Sequence, residues 1–197
     1  YSVVDDIRTK GESIDLLIIT HVDNDHLCGI IKWFSEDSDA HNLVKEIWFN
    51  TGKDIAKFLK EAENNELKFY IKNDRSLETS ISKGIELTEY IEKNKIRLTG
   101  LIKQGCELDR FGIKFQIISP NEEKLERLIK EWKKEEPDLI TSGRRTDYEK
   151  TLNNLIEGGC SEEDNSVSNG SSIAFIMSYK EKNYLFLGDA HPSVVIE

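Results

Sequence analysis

The stretch that decides the fold is IDLLIITHVDNDH, residues 14–26. Residues 14–20 form a short apolar run rich in β-branched side chains, which predicts a buried central strand covered on both faces. The polar residues after it then lie at the carboxyl end of that strand, where α/β sheets place their functional loops. The sequence therefore predicts an α/β fold with a functional site at this strand end.

The composition is that of a folded domain. The chain has 197 residues, of which 38% are hydrophobic and 32% are charged, and this length allows a sizeable core. No apolar run reaches the roughly 18 residues that cross a bilayer, and residues 1–13 lack the apolar centre of a signal peptide. The three cysteines, Cys28, Cys106 and Cys160, lie far apart without CxxC spacing, which indicates neither a disulfide framework nor a zinc knuckle. We therefore expect a cytoplasmic protein without a membrane segment.

The charge balance restricts the classes of partner. With 37 acidic and 27 basic side chains, the formal net charge is -10. Such a charge repels phosphate backbones, so tight non-specific binding of nucleic acid would require a local basic patch or bound cations.

Ser171 and Ser172 have no histidine and acid at recognisable triad positions, which disfavours serine nucleophile chemistry.

Hydrophobic periodicity predicts the remaining elements along the chain. Strands are predicted at KEIWFN (45–50), KIRLTGLI (95–102), CELDRF (106–111) and IKFQIISP (113–120), followed by a late hairpin of SIAFIMSY (172–179) and NYLFLGD (183–189) joined by KEK. Helices are predicted at HLCGIIKWF (26–34), GKDIAKFLKEAEN (52–64), SLETSISKGIELTEYIEKN (76–94), EEKLERLIKEWKKEE (122–136) and DYEKTLNNLIEGG (147–159). Asn121 is expected to cap the fourth of these helices, whose apolar stripe is formed by Leu125, Leu128, Ile129 and Trp132.

Four potential metal ligands occur within six residues after the first strand. In an extended segment alternate residues share a side, so His21, Asp23 and Asp25 are predicted to point the same way, with His26 at the turn into the helix. Imidazole and carboxylate donors suit zinc, manganese or iron. The alternative is a solvated turn and helix cap with two incidental histidines. The concentration of ligand types at a strand end favours the metal site.

Two segments resemble one known family. THVDNDHLCGI (20–30) resembles the THxHxDHxGG signature of the metallo-β-lactamase superfamily, with Asp23 in place of the second histidine. The resulting HxDxDH form is seen in the ComEC-like hydrolase domains of bacterial competence proteins. NGSSIAFIMSYKEKNYLFLGDA (169–190) resembles the late hairpin of the same family, which ends in an apolar run plus Gly-Asp. The resemblance implies a metallo-β-lactamase-type αββα sandwich.

The resemblance also implies roles for individual residues. His21 and Asp23 would contribute to one metal site, Asp25 and His26 to another, and Asp189 would bridge the two ions. Asp25 would additionally orient the metal-bound water, so the catalytic residues would be Asp25 and His26.

Two further residues are candidates for contact with metal or substrate. Asn169 lies near the position where other members of the family place a further metal-binding histidine. His191, two residues beyond Asp189, is either a stand-in ligand or proton donor, or part of an ordinary turn beside Pro192.

The implied cofactor is one or two divalent metal ions, zinc or manganese. Asp23 shifts the preference towards harder ions, so magnesium is also compatible. The implied function is hydrolysis of a phosphodiester, in nucleic acid or a nucleotide, by a metal-activated water. Two alternatives stay open: a carbon-ester or thioester hydrolase of the same fold, and a metal-binding interaction domain of a multi-component bacterial system such as phage defence.

Compared with the family pattern, the chain contains the middle of the domain. Additional strands normally precede the first metal motif, and an HHGS-like segment normally follows the Gly-Asp. We therefore expect a single metallo-β-lactamase-like domain over residues 1–197, incomplete at both ends, with a partner protein or further domain that completes the fold.

Overall fold

The computed structural model describes residues 2–59, 80–132 and 164–196. Its strands are β1 (Leu17–Ile18), β2 (Glu46–Trp48), β3 (Arg97–Leu98), β4 (Glu107–Arg110), β5 (Ile113–Ser119), β6 (Ala174–Tyr179) and β7 (Lys182–Phe186). Its helices are α1 (Ser2–Thr9), α2 (Asn24–Glu36), α3 (Ala40–Leu43), α4 (Gly52–Phe58), α5 (Ser80–Lys93), α6 (Glu122–Trp132), α7 (Val167–Gly170) and α8 (Pro192–Val195). The predicted helix at 147–159 lies outside the described residues.

The first sheet is parallel and has the order β1-β2-β3. Ile47 of β2 is paired with Leu17 on one side and with Leu98 on the other. All three residues of β2 are buried, whereas both residues of β1 are half-buried. The prediction of a central strand at residues 14–20 is therefore wrong within the described sheet, because KEIWFN supplies the central strand and β1 lies at the edge.

The second sheet is antiparallel and has the order β4-β5-β6-β7. The predicted late hairpin is confirmed as β6 and β7, which pair from Phe175↔Phe186 to Tyr179↔Lys182. Its turn is formed by Lys180 and Glu181, with φ values of 47° and 63°. Positive φ at both turn residues is the geometry that matches the twist of a two-residue hairpin.

The two sheets pack face to face through an aromatic cluster. The ring centroid of Trp48 in β2 lies 4.9 Å from that of Phe115 in β5, and the centroid of Phe175 in β6 lies 5.6 Å from that of Phe115. Trp48 is completely buried. Burial of such large side chains contributes strongly to the stability of the folded state.

Helices cover the opposite side of the parallel sheet. Leu27 and Phe34 of α2 and Leu87 of α5 belong to the same buried core as Ile47 of β2. The predicted stripe of α6 is also confirmed, since its four apolar residues are buried, and the Lys124 backbone N–H donates to the Asn121 side-chain oxygen at 3.1 Å. The α/β class is thus confirmed, with one parallel and one antiparallel sheet, while the αββα sandwich stays a prediction. No helix within the described ranges has the length and apolar character needed to cross a membrane.

A buried carboxylate connects the two sheets. Glu46 of β2, whose side chain is 3% exposed, accepts a hydrogen bond of 3.2 Å from Arg110 Nε of β4. It also accepts from the Thr99 hydroxyl and, at 3.3 Å, from Trp48 Nε1. Burial by itself raises the pKa of Glu46, but these hydrogen bonds and the charge of Arg97 together bring it below its ordinary value. Glu46 is therefore held ionised in a nearly closed environment.

Candidate metal centre

The first part of the site is the connection from β1 to α2. Helix α2 begins at Asn24, and Asp23 occupies the N-cap position. The backbone oxygen of Asp23 accepts from the N–H groups of His26 and Leu27 at 3.0 and 2.9 Å. The prediction that an extended segment places His21, Asp23 and Asp25 on one side is therefore wrong for Asp25, which lies in the first turn of the helix. Buried Val22 and Leu27 anchor this connection in the core.

The second part of the site is the end of the β6–β7 hairpin. The Ile173 N–H, just before β6, donates to the Thr20 carbonyl at 2.9 Å and so attaches the hairpin to the end of β1. Gly188 follows β7 with a φ of 54°, and a Cβ built there would lie 3.2 Å from Thr20 Cβ. The absence of a side chain at Gly188 thus permits both the left-handed backbone and the close approach. As a result, Asp189 comes next to the β1–α2 connection.

Three of the sequence-predicted ligands converge at this junction. His21, His26 and Asp189 each offer one ligand atom, and these atoms all lie within 4.8 Å of one another. Asp189 Oδ2 is 3.8 Å from His21 Nε2 and 3.5 Å from His26 Nε2. A tetrahedral ion with ligand bonds of about 2.0 to 2.1 Å separates its ligand atoms by about 3.4 Å. The two distances from Asp189 Oδ2 to the histidine nitrogens are therefore close to those required by a single ion.

The buried imidazole of His21 supports the fit to a metal ion. Its side chain is completely buried, and its Nε2 has no hydrogen-bond partner among the described residues. Its Nδ1 lies 2.9 Å from both the Thr20 and the Ser172 hydroxyl oxygens. An unpaired buried nitrogen costs about 1 to 3 kcal/mol. Coordination of a cation by Nε2 would remove this cost, because the lone pair would gain a partner while Nδ1 keeps its hydroxyl contacts.

Asp23 lies beside the three converging residues and is fixed by neighbouring hydroxyls. Its Oδ1 accepts from Ser168 at 2.5 Å, and its Oδ2 is 3.7 Å from His21 Nε2. Burial by itself raises the pKa of Asp23, but the neighbouring His21 imidazole, whose Nε2 is 3.7 Å away, and hydrogen bonds from Ser168 and Ser80 bring the value below 3.8. Asp23 is therefore an ionised carboxylate at the edge of the centre.

Asp25 occupies a different environment. Its side chain is 79% exposed, and its Oδ2 lies 3.8 Å from His26 Nε2. A carboxylate in the first turn of a helix is favoured by the partial positive charge of the helix N-terminus. Asp25 thus lies on the solvent side of His26, outside the set of converging ligand atoms.

Asn169 and His191 lie together in a separate polar cluster. The Asn169 side-chain amide donates to Asp164 Oδ2 at 2.6 Å, and His191 Nε2 lies 3.9 Å from the same oxygen. His191 is the N-cap residue of α8 and is nearly completely buried, with its Nδ1 2.9 Å from Lys124 Nζ. The structure therefore links both residues to Asp164 and does not include them in the converging set.

Hydroxyl groups around the centre contact the proposed ligands, a role that the sequence pattern did not single out. Thr20 contacts the Nδ1 atoms of both His21 and His26, at 2.9 and 3.4 Å. Ser168 contacts Asp23, and Ser172 contacts His21. The signal was present, because these hydroxyl residues fall within or directly beside the two segments that resemble the metallo-β-lactamase family.

Comparisons with known proteins add no assignment. The chain matches no protein family, no curated protein and no solved structure.

Proposed function

We propose that this chain is a metal-dependent hydrolase of the metallo-β-lactamase type, in the ComEC-like branch, and that it cleaves a phosphodiester. The observation that carries the proposal is the set of His21, His26 and Asp189, in which a completely buried His21 presents an Nε2 that has no hydrogen-bond partner in the described part of the chain. Face-to-face packing of the two sheets is compatible with the αββα sandwich that this family would require. The HxDxDH motif and the late Gly-Asp supply the family resemblance.

The donor set favours a catalytic over a purely structural ion. Two imidazoles and one carboxylate are three protein ligands, and catalytic zinc sites use three protein ligands with a fourth position left for water or substrate. A bound divalent ion would lower the pKa of that water and polarise the oxygen of the bond under attack. Zinc and manganese suit the mixed nitrogen and oxygen donors best, and magnesium suits a centre that also recruits Asp23.

The chain's own residues supply orientation and a proton acceptor. His21 and His26 are held through their Nδ1 atoms, so both Nε2 atoms face Asp189. Asp25 is exposed next to His26, and its carboxylate would accept a hydrogen bond or a proton from an attacking water. A two-ion form would additionally use Asp23 and Asp25 as ligands.

The test combines metal analysis with two model substrates. The purified protein is loaded with zinc or manganese and assayed with bis(p-nitrophenyl) phosphate, a phosphodiester, and with p-nitrophenyl acetate, a carbon ester. We expect bound metal and phosphodiester cleavage, both lost in His26→Ala and retained in the matched His41→Ala variant. Cleavage of the acetate alone would replace the phosphodiesterase with a carbon-ester hydrolase, and failure to bind either metal would overturn the proposal.

A second candidate is a metal-binding interaction domain. It is favoured by β7, whose five residues are all exposed, with Leu185 57% and Phe186 45% exposed. An apolar strand at the edge of a sheet is normally paired or covered. Metal binding without cleavage of either ester, together with a stable complex with a second protein, would favour this candidate over the hydrolase.

A further inference from the structure

One buried hydroxyl contacts two of the proposed ligands, which come from opposite ends of the described chain. Ser172 is completely buried, and its Oγ lies 2.9 Å from His21 Nδ1. The same Oγ accepts a hydrogen bond of 3.2 Å from the backbone N–H of Asp189. Ser172 therefore connects the β1–α2 side of the centre to the hairpin side through a single oxygen atom.

The chemistry of imidazole coordination gives this contact a specific consequence. A histidine that coordinates through Nε2 carries its proton on Nδ1, and this proton needs an acceptor. A serine oxygen has two lone pairs, so Ser172 is able to accept from His21 Nδ1–H and from the Asp189 N–H together. The Thr20 hydroxyl shares the contact with His21, but the described contacts give it no bond to Asp189. Ser172 alone among the described hydroxyls thus fixes both groups.

The backbone around the hairpin end is adapted to this contact. A Cβ built on Gly188 would lie 3.3 Å from Ser172 Oγ and 3.2 Å from Thr20 Cγ2. These distances are tighter than ordinary van der Waals contact, so the approach of the Asp189 N–H to Ser172 depends on the missing side chain at Gly188. The Gly188-Asp189 pair and Ser172 therefore act as one packed unit.

We propose that Ser172 is a positioning residue of the metal centre, which holds His21 with Nε2 towards the ion and holds the Asp189 backbone beside it. The proposal rests on the proposed metal-dependent function. Outer partners of this kind affect metal affinity by about 10- to 100-fold when they are removed. Its effect should therefore appear in metal binding itself, before any substrate is added.

The test compares two adjacent serines. Ser172→Ala removes the bridging hydroxyl, whereas Ser171→Ala removes the hydroxyl of a neighbour that is also buried, which donates to the Ser168 carbonyl at 2.6 Å and has no described contact to His21 or Asp189. The affinities for Zn²⁺ and Mn²⁺ are measured by competition with a chromophoric chelator. The visible absorption of the Co²⁺-loaded protein reports the geometry of the ligands. Urea unfolding of the metal-free proteins reports stability.

We expect Ser172→Ala to bind about 10- to 100-fold more weakly and to alter the Co²⁺ spectrum, and Ser172→Thr, which keeps the hydroxyl, to recover affinity. Ser171→Ala should leave the metal affinity and the Co²⁺ spectrum unchanged. Unaltered affinity and spectrum in Ser172→Ala would overturn the positioning role while leaving the metal centre intact. A loss of affinity explained by a lower urea midpoint in Ser172→Ala, with an unchanged Co²⁺ spectrum, would also overturn it. Absence of metal binding by the unaltered protein would overturn the centre and this inference together.

Discussion

Asp189 Oδ2 lies 3.5 Å from His26 Nε2, which brings a carboxylate at the end of the late hairpin against an imidazole in the first turn of α2. The contact exists because the hairpin is attached to the end of β1 through the Ile173–Thr20 hydrogen bond. The centre is thus formed by two segments that are far apart in the sequence and meet in the folded protein.

Removal of the charge of Asp189 should release the metal. Asp189→Asn keeps the shape of the side chain but replaces the anionic ligand, and loss of a direct ligand should cost more than the about 10- to 100-fold typical of an outer partner. Equilibrium dialysis with elemental analysis measures the bound ion. His41→Ala is the control, because His41 lies in α3 and belongs to no converging ligand group of the described residues. Equal metal content in Asp189→Asn and the unaltered protein would remove Asp189 from the centre.

Asp25 should affect turnover more than metal binding. Its carboxylate is 79% exposed and lies outside the converging set, so Asp25→Asn should keep most of the metal affinity that Asp189→Asn loses. If Asp25 accepts a proton from the attacking water, kcat should fall by about 100-fold or more. Metal titration and steady-state kinetics on the same preparations separate the two effects. Loss of metal to the same extent as in Asp189→Asn would instead make Asp25 a ligand.

Two glycines should respond in opposite directions to alanine. A Cβ at Gly52 in α4 would lie 2.9 Å from the Trp132 ring, which is 6% exposed and held in the core. Gly52→Ala should therefore lower the free energy of unfolding by about 1 to 3 kcal/mol. Gly29 in α2 has nothing within 4 Å of its built Cβ, so Gly29→Ala should raise stability by about 1 kcal/mol through helix propensity. Urea unfolding checks both, and a neutral Gly52→Ala would show that Trp132 moves aside freely.

The buried Glu46 should make stability depend on pH at the acidic end. Because its pKa in the folded protein is below the ordinary 4.5, its ionisation stabilises the fold above that pH. This contribution is lost as the pH falls through the lower folded-state value. Arg110→Ala should weaken the effect and cost about 2 kcal/mol at neutral pH, since it leaves a buried carboxylate with fewer donors.

Arg97→Ala is the matched control for Arg110. The Arg97 side chain is 66% exposed and its Nε lies 3.7 Å from Glu46, so its loss should cost less than about 1 kcal/mol. Urea midpoints between pH 3 and pH 7 give both the pH dependence of stability and the loss of unfolding free energy in each variant. Equal costs for the two arginines would contradict the view that Arg110 is the main charged donor to Glu46.

The sequence by itself determined the elements whose signals are local. The β6–β7 hairpin follows from two apolar runs on either side of the short polar turn KEK, and α6 follows from its stripe of Leu125, Leu128, Ile129 and Trp132 with Asn121 as cap. The concentration of ligands at His21 to His26 was also visible, because it lies within one short segment. These features depend on residues that are close together in the chain. Hydrophobic periodicity and capping residues therefore indicate them directly.

Only the tertiary structure decided which ligands meet. The family resemblance predicted a role for Asp189, but its contact with His26 depends on the packing of the hairpin against β1 and on the fit of Gly188 beside Thr20. Because α2 begins at Asn24, Asp25 lies on the solvent side of His26. Because β2 pairs with both β1 and β3, β1 lies at the edge of the described sheet. The contact between Ser172 and His21 likewise depends on tertiary packing. Contacts between distant segments are determined by how their surfaces fit together, and no local sequence pattern indicates that fit.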